Sequence, residues 1–171
     1  MTFLYRLADG LSSALARLAE AIVLILVASM IYEVVARYVF DAPTVWAFDI
    51  AYMATGVLFI LGAAQALREN AHIRIDFLAS RMPKRLQGMI EGAIMLLGVT
   101  PLFAALAFVA TTRALRAYSS GEVETVSPWA PLMWPFYAFL ALGLAALALQ
   151  IFANGLRDLL GHHSHKQSGE I

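Results

Sequence analysis

The charged residues of this 171-residue chain gather at the edges of four apolar runs, and the runs predict four membrane-crossing helices. A helix rises 1.5 Å per residue, so about 20 residues span a hydrocarbon core of about 30 Å. The expected crossings are about 21–40, 50–67, 89–112 and 132–152. The second is the cleanest, with 18 uncharged residues, Ile50–Leu67, between Asp49 and Arg68. The first has an uncharged core of only 12 residues, Ala21–Tyr32, so Glu20 or Glu33, or both, lie within reach of the apolar zone. Each acid has an arginine nearer the water, Arg17 three residues before Glu20 and Arg37 four after Glu33. Arginine snorkels outward and pairs with the acid on the way, which lowers the cost of both. The third crossing has Glu91 near its start and Pro101 in mid-span beside Thr100 and Gly98, which predicts a kink. Arg113 and Arg116 are expected to end it. Trp129 and Trp134 bracket the start of the fourth as interfacial aromatics do. Its small face, Ala138, Ala141, Ala145 and Ala148, admits close approach of another helix, and Gly88 with Gly92 offers a second, weaker pattern of this kind.

The intervening segments refine this outline. Leu4, Leu7, Leu11, Leu15 and Leu18 recur three or four apart, predicting an amphipathic lead-in over Phe3–Leu18. Cations alternate with Ile73, Ile75, Phe77, Leu78 and Met82 over His72–Arg85, with Pro83 as a break, so this connector between helices 2 and 3 is expected to lie in the bilayer interface. Tyr118–Pro131 is polar and turn-rich, and the tail 154–171 is polar, with His162, His163 and His165 read as solvated. Asp9 and Glu20 interrupt the N-terminus and no small-x-small cleavage site follows, so the first segment is expected to stay in the mature protein. The fold class expected is an all-α integral membrane protein forming one domain.

Composition agrees: 61% of residues are hydrophobic and 14% charged, against about 45–50% and 25% for soluble domains. With formal charge zero, nothing favours a nucleic-acid partner, and membrane lipid is the expected surrounding. The absence of cysteine excludes disulfides, thiolate chemistry and cysteine metal sites. No nucleophile with a base and no phosphate loop is present, so neither an enzyme nor a cofactor is expected. Crossings without paired histidines argue against a haem-carrying membrane cytochrome. Four crossings leave nine basic residues on the side of both termini and three (Arg37, Arg113, Arg116) on the other, which places the termini in the cytoplasm by the positive-inside rule. No internal repeat supports a self-sufficient transporter.

Eight residues are candidates for structural or partner-interface roles. Glu33 and Arg37 read as an ion pair that fixes helix depth, or as a functional intramembrane pair. Trp46 is an aromatic anchor. Asp49 caps the second crossing, pairs with Arg37 across the turn, or meets a partner. Arg68, His72 and Asp76, each four residues after the last, share one face and read as a salt-bridged helix end, since a metal wants more ligands than one His and one Asp. Glu91 is either an inner-edge residue near Arg85 and Gln87 or a buried partner for a cation of another chain. A generic membrane scaffold is the runner-up function. A small proton-coupled exporter would use Glu33, which stands at an edge beside an arginine rather than alone in mid-span.

The stretch Arg37–Asp76 has a specific order: Arg37, Phe40, Pro43, Trp46-x-x-Asp49, an apolar run, Leu61-Gly-Ala-Ala64, then Arg68-x-x-x-His72-Ile-x-x-Asp76. It resembles the small permease subunit of tripartite ATP-independent periplasmic (TRAP) transporters, as does Pro131-x-x-Trp134-Pro135 before the last crossing. One departure is Phe48-Asp49, where that family usually has two adjacent acids. The resemblance implies a non-catalytic, non-pore subunit of the bacterial inner membrane that supports a large multi-spanning permease subunit. It further implies sodium-coupled uptake of an organic acid (a dicarboxylate, keto acid or sialic acid) delivered by a periplasmic solute-binding protein.

Overall fold

The computed structural model describes residues 2–68, 89–90 and 92–159. Helix α1, Thr2–Val39, is continuous, so the amphipathic lead-in and the first crossing are one element. No proline stands between them to break the ladder, and Arg17, Leu18, Ala19 and Glu20 are all good helix formers. Its 38 residues measure about 57 Å, more than a bilayer core requires, and its membrane-competent part is Gly10–Val39. Past its end the chain reverses at Asp41, whose φ of 51° is left-handed, and the Ala42 N–H donates to Ala36 O at 2.9 Å.

Helix α2, Ala47–Arg68, starts where Trp46 O accepts the Ile50 N–H at 3.1 Å. The third crossing, Gly92–Ser120, comprises a π-helical turn, Met95–Val99, followed by α3, Thr100–Ser120. Pro101 accounts for the irregularity: it has no N–H to donate, and its ring crowds the carbonyl four residues back. The backbone widens there, so the Thr100 N–H reaches Met95 O, five residues back, and Thr100 Oγ1 donates to the same oxygen at 2.8 Å. Arg113 and Arg116 do not end this helix. It runs on to Ser120 and stops at Gly121, whose φ of 63° is the left-handed conformation that suits glycine. Helix α4, Trp134–Leu159, tolerates Pro135 in its first turn, where no intrahelical N–H is needed.

Helix α4 packs against all three others, whereas α3 packs on α4 and makes no extended contact with α1 or α2. Leu15, Val57, Leu61, Leu67, Ala146, Leu147 and Ile151 form the core where α1, α2 and α4 meet. Ala141 and Ala148 are buried, but the tightest approaches are at glycines. A Cβ on Gly143 would lie 2.8 Å from Ile60 Cγ2, and one on Gly92 would lie 2.9 Å from Gly155 O. A polar chain threads the same core: Ser12 Oγ donates to Gln150 Oε1 at 3.0 Å, Gln150 Nε2 to Asn154 Oδ1 at 3.2 Å, and Asn154 Nδ2 to Leu67 O at 3.3 Å.

The outer surface of the bundle is apolar. Leu24, Phe59, Leu97 and Phe108 are each more than 70% exposed, which in water would be a severe cost and in lipid is none. The chain is an all-α membrane protein with four helices long and apolar enough to span. Among the described residues there is no strand, only an isolated antiparallel bridge between Val123 and Leu132. The expected connector His72–Arg85, with His72 and Asp76, lies outside the described residues, as do Gly88, Glu91 and the tail from residue 160.

Candidate functional site

The interhelical segments 40–46 and 121–133 meet at one end of the bundle, together with the first turn of α2. Segment 40–46 is tied to α1 by side chains. The buried Glu33 carboxylate accepts from Arg37 Nε at 2.8 Å and also from Arg37 Nη2 through one oxygen. Its other oxygen accepts the Thr44 N–H at 2.9 Å and the Thr44 hydroxyl. Four donors thus compensate a carboxylate whose side chain is 10% exposed, while that of Arg37 is 54% exposed and reaches water. The Trp46 ring stacks on Tyr32 of α1, with centroids 5.7 Å apart.

Segment 121–133 is a small hairpin closed by Glu124 N–H to Pro131 O at 2.9 Å and Met133 N–H to Glu122 O at 3.0 Å. Arg113 of α3 donates to Glu122 Oε1 at 2.6 Å and lies 5.3 Å over the Tyr137 ring, fixing the hairpin between α3 and α4. Glu124 Oε1 accepts the N–H groups of Thr125 at 2.9 Å and Val126 at 3.2 Å, which curls the hairpin tip.

One bond clasps segment 121–133 to the first turn of α2: Ser127 Oγ donates to Asp49 Oδ2. Asp49 is buried in the first turn of α2, where the positive helix end favours an acid. Ser127 Oγ also accepts the Trp129 N–H at 3.1 Å. Beside this clasp opens a cleft of about 420 Å³, walled by Val45, Phe48, Tyr52, Val126 and Pro128, with Asp49, Ser127 and Glu124 as its polar part.

The structure therefore divides the expected acid–base set differently. Arg37 does not bridge to Asp49: Glu33, one helical turn away on the same face, takes the arginine, and Asp49 takes Ser127. Arg68 is the last residue of α2. Thr44, Glu124 and Ser127 were not singled out from the sequence, and neither was the Ser12–Gln150–Asn154 chain. A lone glutamine in the uncharged fourth run was a legible signal for the latter. Ser127, 78 residues from Asp49, carried none.

An acid-lined cleft on an apolar four-helix chain is compatible with many membrane assemblies, and comparison decides among them. The family model described as "Tripartite ATP-independent periplasmic transporters, DctQ component" matches residues 26–161. The chain belongs to this family. The matched DctQ region contains Glu33, Arg37, Trp46, Asp49, Ser127 and Gln150, so both partners of the clasp fall within it. The family is a transporter component rather than an enzyme family. The chain is also similar to the sialic acid TRAP transporter permease protein SiaT of Haemophilus influenzae (strain 86-028NP), at 28% identity over 74 residues. That match covers 43% of this chain and 12% of the relative's length, so the chain spans a small part of that protein. No solved structure matches the chain.

Proposed function

We propose that this DctQ chain is the supporting membrane component of a sodium-coupled TRAP transporter in the bacterial inner membrane. It assembles with a large multi-spanning permease component, and a periplasmic binding protein delivers an organic acid to the pair. The chain itself catalyses no reaction and encloses no transport site. The observation that carries the reading is the internal pairing of its buried polar groups. Ser12 is bonded to Gln150, Ser29 to Leu26 O, Glu33 to Arg37 and Thr44, and Asp49 to Ser127. Among the described residues no row of buried polar groups runs from one end of the bundle to the other, whereas a solute path needs one. The partial identity to a sialic acid permease favours a sugar acid as the solute class. The nine-to-three distribution of basic residues favours cytoplasmic termini, with the Asp49–Ser127 clasp on the periplasmic side.

Co-purification from native membranes tests the assembly. A tagged chain is expected to bring down a large multi-spanning permease in fixed ratio. Recovery of the chain alone would refute the proposal. Orientation is tested in the same membranes with cysteines at Ser80 and Ser120 and an impermeant thiol reagent. In intact spheroplasts the reagent is expected to label only the cysteine at 120, and labelling only at 80 would invert the topology.

A further inference from the structure

The cleft beside the clasp does not stop at the loops. Phe48, Tyr52, Thr55 and Phe59 follow one another along α2 at spacings of four, three and four, so they share one face of the helix. All four are exposed, Phe48 at 78% and Phe59 at 80%. Phe48 and Tyr52 also wall the cleft, which makes the stripe its continuation along the span. At the cleft's polar end the Asp49 carboxylate is 3% exposed. It accepts from the neutral hydroxyl of Ser127. Glu124 adds a second carboxylate, and the residues lining the cleft include no basic side chain. A carboxylate largely removed from water and held by a neutral hydroxyl still lacks a compensating charge, and a cation with donor hydrogens supplies one.

We propose that this cleft receives a lysine or arginine at the outer end of a transmembrane helix of the partner permease, whose remaining length packs along the Phe48–Phe59 stripe. The assignment rests on the reading of this chain as a supporting component. The stem of such a side chain suits Phe48, Tyr52 and Val126, while its charged head meets Asp49 and Glu124. A membrane-embedded partner is favoured over a soluble one by the stripe. Phe59 lies 11 residues further along α2 than Phe48, about 16 Å into the span, where only a lipid or another helix reaches.

The test uses membranes in which the wild-type chain co-purifies with the permease. Phe48→p-benzoylphenylalanine is expected to photo-crosslink to the permease polypeptide. Asp49→Asn keeps a carbonyl oxygen for Ser127 and removes the charge. Val126→Arg, at a position that is 90% exposed, supplies the cleft with a cation of the chain's own. Each is expected to lower the permease recovered by about tenfold while the chain's level in the membrane is unchanged. Crosslinks confined to lipid, or undiminished recovery with both variants, would overturn the assignment while leaving the proposed assembly intact. A wild-type chain that brings down no permease would instead overturn the assembly, and this assignment with it.

Discussion

Glu33 accepts from Arg37 one helical turn away and from Thr44 across the chain reversal, and the two sets of bonds do different work. Arg37 is half-exposed and finds water when its partner is removed, so that pair is worth little. The Thr44 N–H is held by Glu33, and its loss frees the segment that carries Trp46 onto Tyr32. Glu33→Ala is therefore expected to raise the hydrogen-exchange rate of residues 41–46 and to lower the thermal midpoint in detergent. Arg37→Ala is expected to change both much less. Equal effects of the two substitutions would show that the ion pair, not the loop anchor, is what matters. The Glu33–Arg37 pair was legible in the sequence because its four-residue spacing is local. Asp49 was legible as an acid at a helix start, but its partner was not, since hydrogen bonds between distant loops leave no periodic trace in one sequence. The buried Gln150–Ser12 bond is of the same kind: each residue is visible as a polar interruption, and only the packing of α1 on α4 joins them.

Helix existence followed from apolar run length and helix ends did so less well. The lead-in over Phe3–Leu18 and the first crossing read as two segments, one amphipathic and one apolar, and they form one helix because charge interrupts hydropathy without interrupting a helical ladder. The same reason carries α3 past Arg113 to the glycine at 121. Pro101 was readable as an irregularity, and the structure gives its form, a π turn closed by Thr100. Small residues mark faces but do not name the facing helix: the alanine face of α4 was visible, whereas the Gly92–Gly155 crossing depends on how α4 lies against the third crossing. That crossing makes an element-scale prediction. A methyl at Gly92 would meet Leu159 Cγ at 2.8 Å and the backbone oxygen of Gly155 at 2.9 Å, and a backbone oxygen yields little. Gly92→Ala is expected to destabilise the bundle by about 1–3 kcal/mol in detergent unfolding. Gly62→Ala, with nothing within 4 Å, is expected to be neutral or to stabilise by about 0.5–1 kcal/mol. A neutral Gly92→Ala would mean that α4 and the third crossing are further apart than this structure places them.

At the scale of the whole molecule, the interior is small and internally satisfied while the exterior is large and apolar. Among the described residues helix α3 packs chiefly on α4 and makes no extended contact with α1 or α2, and much of it faces outward, with Leu102, Phe108 and Val109 exposed. A protein built this way has more surface suited to lipid and neighbouring helices than volume suited to a solute, which fits a component that widens and anchors another permease. The family itself was legible in the ordered residues of Arg37–Asp76. The solute was not, because no buried polar path for one stands among the described residues. The most direct measurement is sodium-gradient-driven uptake of labelled organic acids, sialic acid among them, into liposomes. The liposomes are reconstituted with this chain, the large permease and the binding protein, together and with each omitted in turn. Uptake is expected only with all three present and none with this chain alone. Gradient-driven uptake by this chain alone would contradict a supporting role, as would undiminished uptake when it is the component left out.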